Sequence, residues 1–259
     1  MDPADSKTLN TLWAIHQDPG FDRGSDPDNG LEDVEFEEGQ LLQTHLMNRW
    51  LANGKTLGGW KLGMTSGASR NAMGEGVRPF GFILSERIGP SGGELNVADL
   101  HRGQIENELC FLIGRDFPSD GSASRQDAVD CVEALLPAFE INQKRLPPDA
   151  CAGLRVADNL SNWGIVIGTP VSPHDDLDDL RVSLTTRDGE VLDSVASPGH
   201  IDDHYETLAT LANRLARYHL SLDAGQYVIT GAYGKTPFAQ GHYVGRFDCG
   251  IGDVDIRLS

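Results

Sequence analysis

One short segment constrains this sequence more than any other, because it places two acidic side chains inside an apolar strand. The segment 104–114 reads QIENELCFLIG. Side chains alternate between the two faces of a strand, so the apolar residues at odd positions share one face with Asn107. Glu106 and Glu108 share the other face. Two carboxylates this close repel each other and are costly to remove from water, so an apolar strand that carries them calls for a nearby cation.

A second segment, 137–142, repeats the pattern as PAFEIN. Phe139 and Ile141 take one face of the predicted strand, and Glu140 and Asn142 take the other. Three carboxylates from two strands suit a hard divalent ion such as Mg²⁺, which prefers oxygen ligands in an octahedron and keeps several waters. The alternative is that the glutamates lie on a solvent-exposed sheet face.

A lysine lies in a third strand-like segment, 58–66, which reads GGWKLGMTS. Lys61 is flanked by Trp60 and Leu62. It could act as a general acid or base if burial or a nearby metal lowers its pKa. The alternative is a lysine whose stem packs against apolar groups while its ammonium group reaches water.

The rest of the chain predicts an α+β fold. Helical spacing of apolar residues occurs over 7–17, 39–53, 125–135 and 201–219, and short strand-like runs alternate with turns elsewhere. Asp188-Gly189 lies between two strand-like arms and predicts a hairpin. We predict a small helical N-terminal region with an acidic loop over residues 1–55 and a β-rich catalytic domain over 56–259. Successive βαβ units and phosphate-binding glycine motifs are absent, which argues against a doubly wound nucleotide-binding fold.

Charge and composition narrow the class of partner. The chain has 39 acidic and 21 basic residues, a net charge of −18, which argues against nucleic acid or an anionic membrane as the main partner. Apolar runs long enough to span a membrane and a secretory signal are absent, so we expect a cytoplasmic protein. The four cysteines form no CxxC pair, which favours buried free thiols over a disulfide framework or a zinc site.

Five motifs in a fixed order connect these segments to a known family. They are WKLGMTS, IENELCFLIGRDF, PAFEIN-x-x-R, VADNLSNWGIVIG and GHYVGRFDCGIGDVDIRL. Over about residues 40–259 the chain resembles the 2-keto-4-pentenoate hydratase / 4-oxalocrotonate decarboxylase group of the fumarylacetoacetate hydrolase superfamily. The resemblance implies a mixed β-roll packed with helices, Mg²⁺ or Mn²⁺ as cofactor, a small 2-oxo acid as substrate, a role in aromatic catabolism, and a homo-oligomer.

The resemblance also assigns roles to residues. It implies that Glu106, Glu108 and Glu140 are the metal ligands and that Lys61 is the active-site lysine. It implies that Ser161 contacts the substrate.

Two basic residues are further candidates for substrate binding. Arg145 matches an arginine that follows the third ligand in the family. Lys235 is unusual in a loop, 231–237, that often lines the pocket in relatives. Gln143 and Lys144 stand where relatives usually carry Asp and a small residue. These departures indicate a divergent member with its own substrate.

One departure bears directly on the reaction. Hydratases of the group carry an acidic residue in a Glu-Pro-Asp-Phe-Gly-like stretch, where it helps to activate water. Here Pro79 takes the place of that Asp, and proline can neither donate nor accept a proton. The preceding Arg78 is a candidate to hold a second carboxylate of a diacid substrate; the alternative is an exposed arginine.

These residues favour a divalent-metal-dependent lyase acting on small 2-oxo or 2-hydroxy alkenoic acids through a metal-bound enolate. The leading hypothesis is decarboxylation of a 4-oxalocrotonate-like 2-oxo-3-enedioate, with Lys61 moving the proton. The close alternative is a hydratase that adds water to a substrate like 2-hydroxypenta-2,4-dienoate. A third hypothesis is a non-catalytic partner subunit of such an enzyme.

Overall fold

The structure is a computed structural model, which describes residues 6–18, 30–100, 102–174 and 176–259. The central part of the predicted acidic loop, residues 19–29, lies outside the described residues. None of the described helices is long and apolar enough to cross a membrane.

Five α-helices lie along the described chain. They are α1 (Lys7–Gln17), α2 (Phe36–Ala52), α3 (Arg125–Cys131), α4 (Ala152–Ala157) and α5 (His204–Ala216). The predictions for α1, α2 and α5 are confirmed to within a few residues. α1 begins where the Ser6 hydroxyl accepts a hydrogen bond from the Leu9 N–H at 3.1 Å, and Asp203 caps α5 in the same way.

The prediction for α3 is wrong beyond Cys131. Ser124 and Asp127 form a reciprocal capping box that starts this helix. From Val132 onward the chain is a strand, because the apolar run that follows pairs with a neighbouring strand along its whole length.

In the part of the chain that the structure describes, twelve strands form two sheets. The strands are β1 (Leu57–Leu62), β2 (Phe80–Leu84), β3 (Ile88–Pro90), β4 (Gly93–Leu95), β5 (Gly103–Ile113), β6 (Val132–Gln143), β7 (Asn162–Ile167), β8 (Arg181–Thr186), β9 (Val191–Ala196), β10 (Tyr227–Pro237), β11 (Gly241–Phe247) and β12 (Gly252–Leu258). One sheet has the order β2-β1-β10-β5-β6-β7-β3, and the other has the order β4-β12-β11-β8-β9. The hairpin predicted at Asp188-Gly189 is confirmed, since β8 and β9 pair on either side of this turn.

The seven-stranded sheet closes on itself. β2 and β3 are separated by only three residues, Ser85–Arg87, yet they lie at opposite edges of the sheet. The two edges must therefore meet. At this seam Asn159 binds β2 through both its amide groups: Nδ2 donates to the Phe82 carbonyl at 2.9 Å, and Oδ1 accepts from the Phe82 N–H at 2.8 Å. The mixed β-roll and the α+β class are thus confirmed.

The two faces of the rolled sheet have different cores. The outer face packs against α1, α2, α5 and the second sheet in one large apolar cluster. At Gly245 of β11 the second sheet approaches so closely that an added Cβ would lie 2.3 Å from Asn107 Oδ1. The inner face holds a smaller cluster, whose buried members are Ile83, Cys110, Ala134, Leu136, Ala138, Ile165 and Ile229.

The helices of the N-terminal region are part of the large core rather than a separate one. Leu9 and Leu12 of α1 and Leu42 and Leu46 of α2 are fully buried in the outer cluster. The division near residue 55 into a helical region and a catalytic domain stays a prediction.

The cysteines are free, as predicted, but they are not all buried. Cys110 and Cys131 are buried, Cys151 is partly exposed and Cys249 is exposed.

Candidate active site

The register of β5 and β6 brings the three glutamates together. Glu106 lies directly opposite Glu140, and Glu108 lies opposite Ala138, two residues along the same face. One carboxylate oxygen from each glutamate lies within 4.8 Å of the others. Further along the same ladder Cys110 faces Leu136, so the interior of the roll changes from apolar to acidic along β5 and β6.

The glutamates lie inside the roll and not on an exposed sheet face. Glu108 and Glu140 are 4% and 1% exposed, and Glu106 is partly buried. Glu108 Oε2 accepts a hydrogen bond from the Gly231 N–H at 2.6 Å. Only glycine fits at position 231, where φ is +146° and an added Cβ would lie 2.5 Å from Thr65 Oγ1.

Lys61 reaches the same place from β1. Its side chain is buried and its Nζ donates to Glu140 Oε1. The facing residue of β2 is Gly81, where a Cβ would lie 2.9 Å from Lys61 Cγ. The glycine therefore leaves the space through which the lysine stem runs. The alternative of a lysine that reaches solvent does not hold for this side chain.

The acidic groups lack a full complement of positive charge. Burial, followed by the charge of Glu140, raises the pKa of Glu106, and the ammonium groups of Lys61 and Lys235 offset this only in part. The same two causes raise the pKa of Glu108 well above its ordinary value. Both shifts oppose ionisation of groups that a bound cation would need ionised.

The pKa of Lys61 moves in the direction opposite to the one considered from the sequence. Burial favours a lower pKa for the amine, but the carboxylates of Glu140, Glu106 and Glu108 outweigh it and the pKa is raised. Without a metal ion, Lys61 is therefore a charged ammonium group at neutral pH and can donate a proton.

Ser161 lies in a turn that leads into β7. It is partly exposed, and its φ of +66° follows values of +58° and +51° at Asn159 and Leu160. Three successive residues with a left-handed, positive φ are unusual when none of them is glycine. The turn ends at Asn162, whose Nδ2 donates to Glu140 Oε1 at 2.7 Å. The role of Ser161 toward a substrate stays a prediction.

Arg145 lies behind the glutamates rather than among them. Its Nε donates to Asp158 Oδ1 at 2.8 Å, and its Nη2 donates to the Asn162 carbonyl at 3.0 Å. The guanidinium is buried, and these contacts hold it against the turn that precedes β7. A contact with substrate stays a prediction for Arg145.

The structure does not bring Arg78 to the glutamates. Its guanidinium binds Asp202 and Asn71. Leu62 and Glu206 also line the cleft around it, whereas Lys61 and the three clustered glutamates do not. Lys235 is exposed on β10, where it pairs in register with Glu106. Of these two candidate substrate-binding cations, Lys235 is the one that lies beside Glu106.

The donor set fits a hard divalent cation. Three carboxylate oxygens converge, the buried ammonium group of Lys61 opposes them, and a divalent ion would bring this cluster to neutrality. The amide oxygens of Asn142 and Asn162 are buried beside the glutamates and have no hydrogen-bond partner among the described residues. Such acceptors are what the water molecules of a hydrated ion require.

Comparison with known proteins supports the same group. The chain is 28% identical to a 4-oxalocrotonate decarboxylase from Pseudomonas sp. over 209 residues, which cover 78% of each protein. It is 29% identical to a 2-keto-4-pentenoate hydratase from Paraburkholderia phymatum over 212 residues, which cover 80% of each. No family model matches the chain.

A solved structure confirms the fold over almost the whole length. The 4-oxalocrotonate decarboxylase from Pseudomonas putida G7, complexed with magnesium and adipate, superimposes with a TM-score of 0.82 at 24% identity and covers 98% of this chain and 97% of its own. Fold and site together define a β-roll with an acidic metal-type centre. In sequence and fold the chain is similar to the 4-oxalocrotonate decarboxylases and 2-keto-4-pentenoate hydratases among these proteins.

Sequence reasoning missed Asn162, although it lies next to Ser161 in the motif VADNLSNWGIVIG. An asparagine at the start of a strand has many roles. Its contact with Glu140 depends on the pairing of β6 with β7, so the residues next to Asn162 in the sequence do not predict it.

Proposed function

We propose that this protein is a divalent-metal-dependent lyase that decarboxylates a 4-oxalocrotonate-like 2-oxo-3-enedioate. The observation that carries the proposal is the meeting of Glu106, Glu108 and Glu140 with the Lys61 ammonium group inside one roll. The names of the relatives, which include a decarboxylase and hydratases, support this class of substrate.

The three glutamates would hold Mg²⁺ or Mn²⁺, which when bound supplies a Lewis acid for the carboxylate and 2-oxo oxygen of the substrate. In the reaction the bond between the distal carboxylate and its neighbouring carbon breaks. The electron pair moves through the alkene to the 2-oxo oxygen, and CO₂ leaves. One proton completes the product, 2-hydroxypenta-2,4-dienoate.

Lys61 is the group suited to supply that proton. It is 8% exposed, and its ammonium group donates a hydrogen bond to one of the three glutamates. Burial excludes bulk water from the amine, so the proton passes between Lys61 and the substrate rather than to solvent. Lys235 lies on β10 opposite Glu106 of β5, and its side chain is exposed. A second carboxylate of a diacid would meet a cation there.

The hydratase alternative needs an acid to activate water. Pro79 offers none, and its carbonyl accepts a hydrogen bond from the Gly63 N–H. Asp202, whose backbone N–H donates to the Thr65 carbonyl, does not replace that acid, because its carboxylate is already bound by Arg70 and Arg78. These contacts favour carbon–carbon cleavage over hydration. A homo-oligomer and a cytoplasmic location stay predictions.

The test is a parallel assay of the purified protein with Mg²⁺ and with Mn²⁺. We expect metal-dependent CO₂ release from 2-oxohex-3-enedioate. Loss of 2-hydroxypenta-2,4-dienoate without CO₂ release would establish the hydratase instead. Metal binding without turnover of either compound would establish the non-catalytic subunit, and the Lys61→Met variant provides the background rate.

A further inference from the structure

We propose that Asn162 is a positioning residue for Glu140, and that the left-handed turn before it serves to aim its amide group. This inference rests on the proposed function, because it concerns how one predicted metal ligand is held. The role assigned to Asn162 is to hold the carboxylate of Glu140 and not to take part in bond making or breaking.

Asn162 contacts Glu140 directly. Asn162 is 1% exposed, and its Nδ2 lies 2.7 Å from Glu140 Oε1. Lys61 donates to the same oxygen. Because two donors from two different strands hold one oxygen, the carboxylate plane of Glu140 cannot rotate freely. A partner that orients a ligating carboxylate in this way contributes to metal affinity without touching the metal.

The turn that precedes Asn162 has an unusual backbone conformation. Asn159, Leu160 and Ser161 all have positive φ, a conformation that L-residues avoid. A run of this kind persists only where surrounding contacts determine it, and such runs are found at functional sites. The turn therefore invites a functional explanation.

The surrounding contacts hold both ends of the turn. At its start Asp158 binds the buried guanidinium of Arg145, and Asn159 binds both backbone groups of Phe82. At its end Arg145 Nη2 holds the Asn162 carbonyl at 3.0 Å. One arginine thus spans the turn from its first residue to its last. The side chain that emerges from this frame is the amide of Asn162.

The oxygen of the Asn162 amide has no partner to match the one its nitrogen has. Asn162 Oδ1 is buried and has no hydrogen-bond partner among the described residues. A purely structural asparagine at this depth would be expected to use its oxygen, since a buried acceptor without a partner is costly. An oxygen left open beside three glutamates is explained by a ligand that brings hydrogen-bond donors, as a hydrated cation does.

The experiment measures Mn²⁺ binding by the electron paramagnetic resonance signal of the free ion, alongside thermal unfolding without metal. Asn162→Leu keeps the volume and removes both amide groups; Asn162→Ala is the second variant if the leucine prevents folding. We expect the Kd for Mn²⁺ to rise about tenfold or more in either variant. Asn162→Gln, which retains an amide donor, is expected to recover part of the affinity.

Asn213→Ala is the matched control. Asn213 lies on α5, and its amide binds both backbone groups of Ala123. We expect this variant to lower the unfolding temperature and to leave the Kd for Mn²⁺ unchanged. Asn162 variants that unfold earlier but bind Mn²⁺ as wild type does would show a structural role only and would overturn the proposal. Absence of Mn²⁺ binding in the wild type would overturn the proposed function, and the positioning role with it.

Discussion

Two buried ionic clusters lie on either side of Asn162, and they differ in charge balance. The acidic cluster consists of Glu106, Glu108, Glu140 and Lys61. The Asp158 cluster consists of Asp158, Arg145 and His16, with the carboxylate bound by both the other groups. Asn162 contacts both clusters, through its side chain and its backbone carbonyl respectively.

The pKa values move in opposite directions in the two clusters. Burial favours a higher pKa for Asp158, but Arg145 and then His16 outweigh it and the pKa is lowered. Burial and the neighbouring Arg145 lower the pKa of His16 to about 4, so the imidazole is neutral and one cation balances one anion. In the acidic cluster the pKa values of Glu106 and Glu108 are raised. The fold completes the charge balance of one cluster and leaves the other to be completed by a ligand.

Removal of Lys61 separates chemistry from metal binding in the acidic cluster. Lys61→Met is expected to lower kcat by about 10²–10⁴-fold, the range for loss of a general acid or base. The Kd for Mn²⁺ is expected to stay the same or to fall, because a cation that competes for Glu140 is gone. Steady-state kinetics and Mn²⁺ titration check this, and a large rise in the Kd would contradict it.

Removal of a carboxylate acts on binding. Glu108→Gln and Glu140→Gln are expected to weaken Mn²⁺ binding by more than about 100-fold, beyond what is typical for loss of an outer partner. Glu133→Gln is the control, since Glu133 is exposed on the same strand as Glu140. Calorimetric titration measures the three variants, and similar affinities in all three would rule out the acidic cluster as the metal site.

The Asp158 cluster is expected to govern stability instead. Asp158→Asn leaves the buried Arg145 without its anion, so we expect the free energy of unfolding to fall by about 3–5 kcal/mol. Asp253→Asn, in the exposed pair with Arg246, is expected to cost at most about 1 kcal/mol. Urea denaturation measures both. Equal effects would mean that burial of the Asp158 cluster contributes nothing specific.

A buried histidine outside both clusters gives the smallest effect. Burial lowers the pKa of His204 to about 4, below the ordinary value of 6.5. Between these values the unfolded chain binds a proton that the folded chain does not. The free energy of unfolding therefore falls as the pH is lowered through this window, by about 1.4 kcal/mol per pH unit from this group. His204→Gln is expected to reduce the slope by that amount, and an unchanged slope would contradict the assignment.

Much of the site was predictable because strand alternation is a local property. The pattern of residues 104–114 puts Glu106 and Glu108 on one face whatever the strand pairs with, and the structure keeps that face. The same reasoning failed at Val132–Leu135, where a short apolar run fits a helix as well as a buried strand.

Contacts between distant segments set the limit of prediction. The position of Glu140 opposite Glu106 depends on sheet register, and the pairing of Arg78 with Asp202 joins residues 124 apart in the chain. The left-handed turn at 159–161 has no sequence signal beyond asparagine at its first position. Such features follow from tertiary packing, which a single sequence does not display.

The most direct test of the central claim is a crystal structure of the protein grown with Mn²⁺ and oxalate, with anomalous scattering used to locate the ion. We predict one Mn²⁺ ion bonded to oxygens of Glu106, Glu108 and Glu140, with oxalate on its open side. An ion bound elsewhere, or an acidic cluster that stays free of metal in crystals that contain Mn²⁺, would contradict the claim.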